Sequence, residues 1–279
     1  MITTSIPNAA ARQRTPGSSS RARAHRRQEG SAYVEFLVAF PIVLMFFLCL
    51  IQLSLLYVGK LSVQHAAGRA ARAAVVVLPD NPSKYDGEAV NTLDPDTVSG
   101  SSSAIPGFST LGVILSLGGS DNGSIRLNAI RSAAYFQLTP ISPSVTWLAG
   151  DNTVGRSFES GVVRAGSGFY YAKNATAVTF YDAPAGTTMK WGQSPAFGAH
   201  QAITTRVTYL YNCTIPLANA IMCQHLWRIV LTNATARREL MYTANPLYPA
   251  MFAAFGTDRF VVLRAESTLP NQGAGYAYH

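Results

Sequence analysis

From Phe36 to Ile51 the chain carries no polar residue, and through Val58 only Gln52 and Ser54 interrupt the apolar run. Sixteen of the 23 residues from Phe36 to Val58 are Leu, Ile, Val or Phe. As a helix rising about 1.5 Å per residue they reach about 35 Å. That spans the roughly 30 Å hydrocarbon core of a bilayer with some tilt. At about 0.3–0.6 kcal/mol each on an insertion scale, these side chains outweigh the one acid at the edge, Glu35. The segment enters a membrane.

Charge predicts the orientation. Arg12, Arg14, Arg21, Arg23, Arg26 and Arg27 precede the run against one acid, Glu29, while Lys60, Arg69 and Arg72 follow it at wider spacing. The positive excess places the short N-terminal arm in the cytoplasm and roughly 220 later residues outside. The arm's Ser, Pro, Gly and Arg content suits a disordered tail over residues 1–30. Two readings of Glu35 stay open. It snorkels into the headgroups, or it needs a cationic partner such as an N-terminal ammonium created by cleavage just upstream.

A basic leader ending in Gly30, an acid at Glu35 and a retained apolar helix together resemble a class III, type IV prepilin signal. More closely, Gly30–Val77 is similar to the TadE-like family of minor pilins or pseudopilins of the tight adherence (Tad, type IVb) pilus. Val34-Glu35-Phe36, Pro41 and Ala66-Ala67-Gly68-Arg69-Ala70-Ala71-Arg72 stand where that family carries its Val-Glu-Phe, its helix proline and its Ala/Arg-rich extension. Ser31 departs from type IVa pilins, which begin with Phe after scission. A Sec-type signal core runs about 7–15 residues and is shorter than this one.

The resemblance implies a bacterial inner-membrane protein cut after Gly30 by a membrane-embedded prepilin peptidase, with Ser31 as its new N-terminus. Its outer part would be periplasmic or extracellular. Its further partners would be other pilin or pseudopilin subunits and the Tad assembly platform. Glu35 would neutralise the terminal amine of a neighbouring subunit, because an unpaired charge in a low dielectric is costly. Removing six arginines and one glutamate lowers the formal charge from +8 to +3, so no nucleic-acid partner is read from the basic balance.

Helical spacing continues past Val58 to Leu78, where Pro79 stops it, giving a transmembrane and stalk helix over 31–78. His65, Arg69 and Arg72 form one face; Val63, Ala66, Ala67, Ala70, Ala71 and Ala74 form the other. The small residues permit close helix approach, either to neighbouring subunits or to the chain's own outer domain. Pro41 is expected to kink the membrane half.

Residues 79–279 read as an extracytoplasmic α+β domain: a small antiparallel sheet and short helices laid on the long N-terminal helix. Turn-rich sequence from Pro79 to Ser124 surrounds an apolar segment, Leu111–Leu117. Helical spacing covers Ile125–Leu138, and short strand-like runs follow, including Ala177–Tyr181. Gln201–Tyr211 alternates as a strand, Leu217–Met241 leans helical and Phe260–Glu266 is a strand. Cys213 and Cys223 form either a bridge worth about 3 kcal/mol by loop closure or two free thiols. No motif positions a catalytic group: Glu239, Glu266, Asp94 and Asp96 read as surface charge, and no metal or cofactor is expected. A second reading keeps the leader uncut and makes the chain a membrane-anchored binding or adhesin domain.

Overall fold

A computed structural model describes residues 18–93, 123–143, 158–182, 190–192, 197–198, 201–243 and 258–271, with side chains from Tyr33 onward except at 158–165, 167, 182 and 190. It is an α+β protein: a long apolar N-terminal helix followed by a five-stranded antiparallel sheet and short helices. Two compact units divide at Phe47 and Leu48. The second half of the helix, from Val63 to Val77, contributes side chains to the core of the second unit.

The helix α1 spans Ser18–Val77 and continues through Pro41. Its first turns, from Ser18 to Gly30, are helical in a segment expected to be a disordered tail. Arg and Ala are strong helix formers, and a helix already running downstream removes the nucleation cost. The segments Leu111–Leu117 and Asp94–Asp96 lie outside the described residues.

In the outer domain, α2 (Ile125–Leu138) begins at Ser124, whose Oγ accepts the Leu127 N–H at 3.2 Å. The helix α3 (Phe158–Ala175) feeds directly into β1 (Thr176–Asp182). Next come β2 (Lys190–Gly192), β3 (Ala202–Asn212), α4 (Ala218–Met222) and β4 (Gln224–His225). Helices α5 (Leu226–Thr232) and α6 (Ala234–Leu240) and the long strand β5 (Arg259–Pro270) complete the domain. The strands lie in the order β2-β1-β3-β5-β4.

The α3 helix corrects the expectation of strand-like runs before Ala177. Its glycines, Val162, Val163, Phe169, Tyr170 and Tyr171 read locally as strand or turn. Tertiary packing reverses that preference. A Cβ on Gly168 would stand 3.4 Å from the Thr139 carbonyl oxygen, so the bare glycine lets α3 approach the end of α2. Phe169 then packs edge-on to Tyr135, with ring centroids 6.3 Å apart.

The pleat sorts each strand's side chains to two faces. Val207 stands opposite Val178 and Ala265, and all three bury on one face. Arg206, Thr208, Arg264 and Glu266 point to the other, where α6 lies. Helix α1 covers the first face.

Candidate functional site

Gly30 and Ser31 lie within the helical backbone of α1, one turn before Glu35. Positions four apart share a helix face, so Ser31 and Glu35 stand one above the other. Glu35 is exposed, and it forms no ion pair among the described residues. The apolar run that follows is bare on every side: Leu37 is 73 % and Ile42 70 % exposed. Phe36 and Phe40 stack on one another at 5.3 Å. A helix apolar all round needs a nonaqueous surrounding. Lipid and other apolar helices both supply one.

The character of α1 changes at Gln52. This amide is fully buried, and its Oε1 accepts the Ile215 N–H at 3.2 Å. Beyond it a stripe at Gly59, Val63, Ala66, Ala67, Ala70 and Ala74 is buried, with a spacing that keeps it on one side of the helix. A Cβ on Gly59 would stand 3.1 Å from Leu263 and 3.2 Å from Tyr211, so the backbone of α1 sits close against the sheet. Thr205 Oγ1 donates to the Ala67 carbonyl at 3.3 Å, and Lys60 Nζ donates to the Arg264 carbonyl. His65, Arg69 and Arg72 remain exposed on the opposite side.

Of the two uses left open for the small residues, the described contacts supply one. Ala66, Ala67, Ala70 and Ala71 are fully buried within this chain. Any neighbour that meets the upper helix must use its polar face.

The far end of α1 is tied down by Arg126, a fully buried guanidinium. It donates to the Val77 carbonyl, to Leu78 O at 3.2 Å and to Asp80 O at 3.0 Å. These are groups left over where the helix ends. Cations are favoured there by the helix dipole. Glu88 balances Arg126 at 3.8 Å and accepts the Ile125 N–H at 2.7 Å, capping α2 as well. Tyr85 lies against the guanidinium face, 4.3 Å from its ring centroid.

Glu239 is not surface charge as expected: α6 carries it onto the sheet, where it is 3 % exposed. Arg206 donates to Oε1 at 3.0 Å; Thr208 at 3.0 Å and Arg264 at 2.5 Å donate to Oε2. Arg206 also binds the exposed Glu266 and stacks over Trp191 at 3.6 Å. The carboxylate is fully engaged in holding α6 to the sheet. Helical spacing on α6 and alternation on β3 and β5 contain this pairing, but only the sheet register joins them. Among the described residues no cluster of three or more His, Cys, Asp or Glu forms a metal site.

Cys213 and Cys223 are joined in a disulfide that closes the loop carrying α4, and Cys49 is free.

Against known proteins, the model of the family described as TadE-like protein matches residues 30–72. The match starts at Gly30 and lies wholly within α1. It agrees with the family resemblance read from the same residues. No curated protein and no solved structure matches the chain. The apolar helix and this match fit a membrane protein related to the Tad pilus.

Proposed function

We propose that the chain is a minor pilin or pseudopilin of a tight adherence pilus, held in the bacterial inner membrane with its N-terminus in the cytoplasm and its outer domain periplasmic. In this reading a prepilin peptidase cuts after Gly30. The lower half of α1 then becomes a contact between subunits. The chain has no catalytic role and takes no cofactor or metal.

The carrying observation is Glu35: exposed, one turn from Ser31, and at the head of an apolar run whose side chains stay largely bare as far as Ile51. A carboxylate in that position gains most from an ammonium held at the same depth. The free amine of Ser31 on a neighbouring subunit supplies it and fixes the axial offset between the two helices. Glu35→Gln keeps the size and removes the charge. It should leave cleavage intact and reduce co-purification with other pilus subunits; unchanged co-purification contradicts the pairing.

One observation favours the second reading, an uncut anchor for a binding domain. The helix α1 extends upstream through Gly30 to Ser18, whereas a protease must act on unwound backbone. The mature N-terminus separates the two.

A further inference from the structure

The loop closed by Cys213 and Cys223 is the part of the outer domain that meets α1 at Gln52. Axial order along the helix places it. Thr205 of β3 bonds to Ala67, Tyr211 lies beside Gly59, and Ile215 bonds to Gln52. Successive residues of this chain therefore descend α1 toward its membrane segment, and the loop comes last. The loop thus lies beside the end of the uninterrupted apolar run Phe36–Ile51, where an α1 embedded up to that run would leave the hydrocarbon.

Its outward side is apolar. Leu217, just before α4, and Ile221 on it are 56 % and 61 % exposed. Trp227, two residues past the end of β4, is 53 % exposed. Leu217 has φ 66° and ψ −51°, a backbone conformation costly for a residue with a branched side chain. Strain and exposed apolar surface thus coincide at one tip, held by a disulfide. Arg228, next to Trp227, is exposed, and Arg259 donates to the Ala220 carbonyl at 2.7 Å, while Asp258 bonds to Asn212 at the same edge. Exposed apolar residues and an indole match the bilayer interface.

We infer that this loop is a second membrane contact: Leu217 and Ile221 enter the headgroup–acyl boundary and fix the outer domain's rotation about α1. The inference rests on α1 being embedded in the membrane, and on neither cleavage at Gly30 nor pairing by Glu35.

The test uses the full chain with Cys49→Ser, one copy per lipid nanodisc containing anionic lipid, and nitroxide labels at single added cysteines. Collision rates with lipid-soluble oxygen and with a water-soluble nickel chelate are compared at Phe47→Cys, Ile221→Cys and Thr235→Cys. Thr235 is an exposed site on α6. Position 221 should show severalfold less nickel contact than 235 in discs. Protection at 47 with none at 221 overturns the loop inference alone. Nickel access at both 47 and 221 overturns the membrane reading of α1 with it. Occlusion of 221 that appears only when discs hold several copies assigns the loop to a second copy of this chain and overturns the proposal.

Discussion

The two halves of α1 are built for different surroundings. Before Gln52 the helix presents Leu, Ile, Val and Phe on all sides and is bare; after it, Gly and Ala line one side and are buried against the sheet. Bulky side chains suit a surface that meets lipid or other helices, where no fixed shape must be matched. Small ones suit a backbone pressed onto strands, where one methylene in excess is felt. The position of Gln52 at the transition is a polar residue used where protein first replaces lipid. One continuous helix therefore serves as both anchor and core element.

The largest effect that would break this contrast lies at the upper end. Arg126→Ala should cost about 3–5 kcal/mol, the range for removing one partner from a buried ionic cluster. Denaturant unfolding of the outer domain measures it, and Leu37→Ala in the lower half should leave the same midpoint unmoved. Cys213→Ser with Cys223→Ser should cost about 3 kcal/mol through the lost loop closure. The midpoint of the double variant should fall below that of oxidised wild type and match that of reduced wild type.

Ala70→Leu should come next, losing about 1–3 kcal/mol by overpacking the helix–sheet contact, whereas Ala39→Leu should be neutral for outer-domain stability. Equal losses at the two alanines would erase the distinction between the halves.

The smallest effect concerns Asp258, whose carboxyl is pushed above the usual carboxylate range by burial. For an acid raised in the folded state, there is no penalty below its unfolded value. The penalty grows as pH rises from that value through the folded one, and persists above. Asp258→Asn should therefore gain stability slightly at pH 7 and nothing near pH 3. A gain of equal size at both pH values would contradict burial as the cause.

The anchor and its change of use were legible to different degrees. An unbroken apolar run fixes its own environment whatever lies elsewhere in the chain, so Phe36–Ile51 could be read locally. Strict alternation likewise marked β3, and helical spacing marked α2 to its ends. The strand β5 runs past Glu266 to Pro270, because β3 offers it a partner along its whole length. What stayed hidden depends on contacts between distant residues. Gln52 looked like a blemish in a span until Ile215 was found against it, more than 160 positions away. Glu239 looked like surface charge, since nothing near it in sequence announces the guanidinium groups that it meets, and nothing near Arg126 announces its carbonyls. The helix α3 was concealed by its glycines, of which Gly168 packs closely against Thr139.

The account turns on the lower half of α1 becoming a contact between subunits after the leader is removed. Intact-mass measurement of the protein extracted from membranes of its native host, with the prepilin peptidase present and deleted, tests this most directly. The account predicts a chain beginning at Ser31 when the peptidase is present and the full-length chain when it is deleted. A chain that keeps its six leader arginines in both strains would contradict it.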